Sequence, residues 1–458
     1  MDIDPAAAGP AGAICADFFE WAQQAPRYDA IVGNPPFIRS HLFPEDSRAK
    51  AFALMRQMGL EPSRLMSSWA PFVAVSANLL SPDGRLALVV PEELLHVGYA
   101  KPLREYLLTR FRRTVVCFPD DDIFPSVQQA VVLLLCDNEG KSFPGLHTMA
   151  FSDLEAGLTN EAVPAPPWAW SRKWTHLFLS EGERRLVSDG FSQLHWKPLC
   201  EYGRVEVGVV TGYNALFIVS RQEAHRLADA RRFVPVICGA RDLKGIELTR
   251  ADFAALADAG RPCYLLKTAD DSERLSAKLQ EYLKEGEKEG VNRRFKCRIR
   301  DPWYAVPSVW PAHALLLRQA GDLPRLVHLT KTCTCTDTIH RVRWRMPAHG
   351  KRHVVGFLNT WTLIACELMG RSYGGGVLEL MPGEANQIPL PKPLARLERL
   401  FTRVDALVRE GRSEDAIALV DGCVLANTKD SRQRGSIRDI LMKLIARRKD
   451  RSNGNHSR

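Results

Sequence analysis

Long apolar runs are missing from this 458-residue chain. No segment reaches the roughly 18 consecutive apolar residues that a membrane-spanning helix needs. The N-terminus also lacks a basic region followed by an apolar core, so no secretory signal is expected and a cytoplasmic location is. Paired cysteines at zinc spacing are missing too. Cys333 and Cys335 form only a C-x-C, the other nine of the eleven cysteines are scattered, and reduced thiols with no metal site are expected. A strand-to-helix turn rich in glycine is likewise absent. Gly374-Gly375-Gly376 comes late, after a helical pattern, and does not fill that role.

What is present is a folded composition, 45% hydrophobic and 25% charged, with length enough for two or three domains. The net charge of +9 is concentrated. Between Val291 and His353, thirteen Lys and Arg stand against three Asp, a net +10 (13 − 3), so this stretch alone supplies the excess. Phe295, Trp303, Tyr304, Trp310 and Trp344 are interleaved with it, a mixture suited to a phosphate backbone and base faces.

From Met1 to about Asn138 strands and helices alternate. Ala30–Gly33, Leu86–Val90, Thr114–Phe118 and Ala130–Leu135 read as strands, Ser67–Leu80 and Lys101–Phe111 as helices, which predicts a mostly parallel sheet covered on both faces. The stretch Arg39–Leu65 reads as a loop placed to act as a lid or a DNA contact. Val163-Pro164-Ala165-Pro166-Pro167 should break both helix and strand and mark the way out of the domain. Ser272–Glu289 reads as a helix with one solvated face, and the basic end of the chain (Lys443, Arg447, Arg448, Lys449, Arg451) as a solvated tail.

The first strand ends in Asn34-Pro35-Pro36-Phe37. Two prolines stiffen the loop and supply no N–H, so carbonyls stay available as acceptors. The Asn34 side-chain oxygen and the Pro35 carbonyl are able to grip both hydrogens of an exocyclic amino group, and the Phe37 ring to stack on a planar base. The grip draws the nitrogen toward sp3 geometry and exposes its lone pair.

Together with Asp2-Ile3-Asp4-Pro5, Ala16-Asp17-Phe18-Phe19, the helix start at Ser67-Ser68-Trp69, the strand up to Pro91, and Asp122-Ile123-Phe124-Pro125 before an apolar run, this order resembles the gamma-class N6-adenine DNA methyltransferases of restriction-modification systems. The resemblance implies a Rossmann-like α/β fold, S-adenosyl-L-methionine as cofactor, double-stranded DNA as substrate and a cognate restriction endonuclease as system partner. It places Asp2 on the cofactor ribose, Asp17 and Phe18 on its adenine, Asn34, Pro35 and Phe37 on the target base, and Phe124 on the base's other side. A stacked adenine must be flipped out to be reached. The family's first strand and Gly-rich turn have no counterpart ahead of Asp2, and upstream sequence, a separate polypeptide or loss in a remnant gene would each account for it.

The expected organisation is an N-terminally incomplete methyltransferase domain (1–150), a linker (151–198), an α+β target-recognition domain (199–393) and a helical C-terminus (394–458). Val205–Asn214 and Arg232–Ile237 resemble the opening of the family's recognition domain, while Phe357–Trp361 and Ser372–Ala385 resemble its close. Arg298, Arg300, Trp303, Arg341 and Arg343 are the expected DNA contacts. Two other readings compete: a DNA-binding specificity protein whose catalytic half no longer works, and a protein-glutamine methyltransferase, against which the large basic region argues.

Overall fold

The computed structural model describes residues 5–10, 12–119, 131–138, 144–151, 162–165, 173–194, 196–227, 230–268, 275–321, 323–373, 376–425 and 431–453. Asp2 and Phe124 lie outside these residues. The chain divides into two compact units, residues 1–185 with 450–458, and residues 186–449.

The first unit is built on a six-stranded sheet: β1 (Tyr28–Gly33), β2 (Leu80–Pro91), β3 (Arg113–Pro119), β4 (Val131–Asp137), β5 (Gly145–Phe151) and β6 (Val163–Pro164), in the order β1-β2-β4-β3-β5-β6. β1 runs parallel to β2, with Gly33 opposite Leu88, and β3 parallel to β5. β4 is antiparallel to both β2 and β3. The sheet is therefore mixed, where the alternating pattern predicted a mostly parallel one. The reason is length: the residues between Pro119 and Val131 are fewer than a parallel crossover needs, so the chain has to reverse. β6 is a second departure. Val163 and Pro164 do form a strand, because an edge position leaves the missing proline N–H without consequence.

The helix Trp69–Asn78 is apolar all round and buried almost along its whole length, packed between the sheet and the helices Glu45–Gln57 and Lys101–Arg110. The helix Glu45–Gln57 occupies the stretch read as a loop. Its Ala51, Phe52 and Met55 enter the core, so only the flanks of that stretch remain as loop, with Leu42 and Leu65 exposed.

In the second unit, a five-stranded sheet runs in the order Glu247–Leu248, Leu326–Leu329, Ala314–Leu317, Ile339–Trp344, Gly203–Val207. A four-stranded sheet runs Thr334–Cys335, Phe233–Ile237, Tyr264–Leu266, Ile218–Val219. The helix Ala395–Arg409 buries Leu397, Phe401, Val404, Leu407 and Val408 on one stripe. Arg409 ties this helix to Asp252, and also donates to Asp405 one turn earlier on the same helix.

The basic end is not wholly solvated. Arg448 is buried and donates to the carboxylate of Glu367, also buried, from Nε at 3.0 Å, and to the carbonyl of Gly321 at 2.8 Å. A buried arginine without such partners would cost several kcal/mol, on the order of 3–5.

Candidate functional site

The Asn34–Phe37 loop leaves the carboxyl end of β1, beside the carboxyl end of its parallel neighbour β2, the place where open α/β sheets bind ligands. Asn34 is exposed, Pro35 buried and Phe37 half-buried against the core of the first unit. Among the described residues the Asn34 side chain has no hydrogen-bond partner, which leaves both its oxygen and its amide available.

The loop is held from behind by Ser68, wholly buried at the start of the helix Trp69–Asn78. Its hydroxyl donates to the Pro36 carbonyl and accepts from the Ile38 N–H at 2.9 Å, while its own N–H donates to the Ile38 carbonyl at 2.9 Å. Three bonds from one residue fix Pro36 and Ile38, and so the frame in which Asn34 and Pro35 stand. Sequence reasoning treated Ser68 only as part of a helix start. No local pattern marks a partner some thirty positions away.

Asp17 caps the short helix Phe18–Trp21. One carboxylate oxygen accepts from the N–H groups of Phe19 (2.8 Å) and Glu20 (3.1 Å), and the other accepts from the Ser47 hydroxyl. Burial raises its pKa, but the bonds from Ser47, Glu20 and Phe19 and the charge of Lys50 outweigh this and hold the carboxyl below its ordinary value. A carboxylate offers about four acceptor positions, so one remains for a further N–H. Phe18 stacks on Phe72, centroids 4.6 Å apart at 17°, with one face of its ring covered. These two residues fit the adenine end of an adenosyl cofactor: one acceptor position on a charged oxygen beside an aromatic ring.

The expected DNA contacts fall in the second unit and divide into two kinds. Arg298 and Arg343 are exposed. Arg300 and Arg341 are committed to backbone: Arg300 donates to the carbonyls of Thr211 (2.7 Å) and Val210 (2.8 Å), and Arg341 to those of Val207 (2.9 Å) and Ser308 (2.6 Å). Arg341 is only 3% exposed, and burial pushes the pKa of both guanidinium groups down. Both line a cavity of about 470 Å3 together with Lys296, Ile299, Val210, Pro307 and Ser308. Trp310 carries Arg341 and Arg343 over its ring, at 4.1 and 4.3 Å from the centroid. Trp303 lies apart, packed on a core cluster and donating from its indole to Glu287 at 2.7 Å. Among the described residues no group of His, Cys, Asp and Glu is arranged to hold a metal, and no helix is long and apolar enough to cross a membrane.

Two protein families match the chain. Residues 171–425 match the Type II methyltransferase M.Eco57I, C-terminal domain, and residues 13–124 match the Eco57I restriction-modification methylase. Type II methyltransferase M.AccI of Acinetobacter calcoaceticus is 24% identical over 304 residues, 62% of this chain and 54% of the relative. Type II methyltransferase M.XamI of Xanthomonas campestris pv. amaranthicola is 23% identical over 372 residues, 79% of this chain and 67% of the relative. The chain thus spans about half to two thirds of the length of these relatives. Among solved structures, the Type IIL restriction-modification enzyme MmeI in complex with DNA is 10% identical, with a TM-score of 0.47, covering 97% of this chain and 57% of the other.

Proposed function

Because the chain belongs to the family of the Type II methyltransferase M.Eco57I, C-terminal domain, we propose that it acts as a DNA methyltransferase of a restriction-modification system, transferring a methyl group to the N6 amino group of a flipped adenine. The observation that carries this reading is the Asn34–Phe37 loop at the sheet's carboxyl edge, with Asn34 exposed and without a partner among the described residues, and Ser68 bracing the backbone behind it.

The amino group's two hydrogens go to the Asn34 Oδ1 and the Pro35 carbonyl, and Phe37 supports the ring. Bound S-adenosyl-L-methionine supplies an electrophilic methyl group; Asp17 and Phe18 would hold its adenine. The nitrogen's lone pair would form the new bond to the methyl carbon as the carbon–sulfur bond breaks with its electron pair left on the sulfur, giving a neutral thioether. The nitrogen would then release one proton to water, so no strong base is required. Positioning and preorganised acceptors do the work. Arg298 and Arg343, the exposed cations, are assigned to phosphates, while Arg300 and Arg341 shape the surface that carries them.

The free edge of β1 adds a partner to this reading. Among the described residues β1 pairs only with β2, and Val32 on it is 85% exposed. A parallel strand in such a sheet is ordinarily covered on both sides. The edge suits an added strand, from a separate polypeptide or from further sequence of the same protein, and a cognate endonuclease would complete the system.

One observation favours the alternative of a DNA-binding protein without catalysis: Asp17 is already engaged on a helix end and on Ser47. Nucleoside analysis of DNA incubated with the full chain and labelled cofactor, alone and with candidate strand donors, decides between them. N6-methyladenine is expected, reduced at least ~100-fold by Asn34→Ala with duplex binding retained. Near-parent methylation by Asn34→Ala, or a methylated base other than adenine, overturns the assignment.

A further inference from the structure

Phe295 and Ile299 are 60% and 62% exposed, one helical turn apart on and just after the short helix Phe295–Arg298. Two large apolar side chains side by side in water are costly unless something covers them. Their surroundings are cationic. Arg293, Arg294, Lys296 and Arg298 are all exposed, with Asp301 the nearby acid in sequence. Lys296 Nζ and the Arg298 guanidinium lie 5.4 and 5.5 Å from the centroid of the Phe295 ring.

The element is braced from below. Cys297 is wholly buried and pins the turn. Arg300 clamps the carbonyls of Val210 and Thr211. Arg294 stacks over Tyr213 at 3.9 Å. Gly212, with φ at +91°, lets the loop approach so closely that a Cβ there would meet Cys297 Sγ and Lys296 Cβ at 3.0 Å. An apolar tip on a stiff mount between cations matches a polyanion whose charges flank an apolar interior, which is duplex DNA seen across a groove.

Building on the DNA-binding reading above, we propose that Phe295 and Ile299 form a wedge that enters a groove of the duplex and unstacks or contacts a base step, with Lys296 and Arg298 on the flanking phosphates. Wedges of this kind exchange base stacking for protein contact and bend the DNA. The wedge adds a neutral component to affinity, while the cations add a salt-dependent one. The two components are separable by experiment.

The test uses the full chain, a labelled duplex of random sequence and a series of salt concentrations. The double variant Phe295→Ala/Ile299→Ala should bind about 10-fold more weakly at every salt concentration, with the salt slope unchanged. Lys296→Ala/Arg298→Ala should flatten the slope by about 2. Phe295→Trp should keep parent affinity. A duplex carrying 2-aminopurine should brighten on binding the parent and not the apolar double variant. If the parent binds and the apolar double variant binds equally well, the wedge is wrong and the DNA reading stands. If the parent binds no duplex, both fall. If the apolar change instead abolishes binding to anionic vesicles and leaves duplex binding intact, the surface belongs to a membrane and the wedge is overturned.

Discussion

The hydroxyl of Ser68 donates to the carbonyl of Pro36, two residues past the exposed Asn34. Ser68 is fully buried and Asn34 is in solvent, so the group that would meet the substrate is positioned by one that never does. Ser68→Ala leaves the Ile38 N–H and the Pro36 carbonyl unsatisfied, at a cost of about 1–3 kcal/mol. The loop is then free to shift, and displacements near 1 Å reduce rates by on the order of 100-fold. Single-turnover methyl transfer is expected to fall roughly 10- to 100-fold with cofactor affinity unchanged. A loss in cofactor affinity equal to the loss in rate would show a general structural role instead.

Arg341 and Arg343 stack on the same indole, yet their substitutions should read out differently. Arg341 is buried on the Val207 and Ser308 carbonyls, so Arg341→Ala is expected to cost about 2–4 kcal/mol of stability. Arg343 is exposed, and Arg343→Ala should leave stability within about 0.5 kcal/mol and weaken duplex binding, with a salt slope lower by about 1. Denaturant melts and duplex titrations on both variants check this. Equal stability losses would remove the distinction drawn between them.

A pH dependence follows from Asp252. Burial raises its pKa, but hydrogen bonds from Arg409 and Thr249 dominate and bring it to about 2. A carboxyl depressed in the folded state stabilises above its unfolded pKa, and that contribution disappears as pH falls through the folded value. The second unit of the parent should therefore lose stability between about pH 4 and pH 2. Asp252→Asn, which also weakens the capping box with Thr249, should cost about 1 kcal/mol at neutral pH and flatten the curve in that window. Urea unfolding at stepped pH measures both.

Much was legible before the structure. Short-range rules place strands such as Leu86–Val90, within β2, and the helix Lys101–Arg110, because apolar runs and helical spacing act over a few residues, but they missed the helix Glu45–Gln57. The Asn34–Phe37 loop was visible for the same reason, since its stiffness and its acceptors are properties of four adjacent residues. What lay beyond reach depended on partners distant in sequence. Strand direction in the sheet turns on where β4 inserts, not on its own composition. Asp17 is a strong acceptor in isolation, and only the fold shows how much of that capacity the helix end and Ser47 take.

The basic segment shows the same division most plainly. Its charge and aromatic content are additive properties, so the sequence by itself determined that Val291–His353 is a cationic region that accounts for the protein's whole positive excess. Which cations face solvent is a matter of packing. Arg300 and Arg341 meet backbone carbonyls brought from about ninety and more than a hundred residues away, Arg448 meets Glu367, and Arg298 and Arg343 stay exposed, Arg343 with its guanidinium over the Trp310 ring. A guanidinium is costly to bury without acceptors and inexpensive to leave exposed, and only tertiary structure supplies or withholds those acceptors.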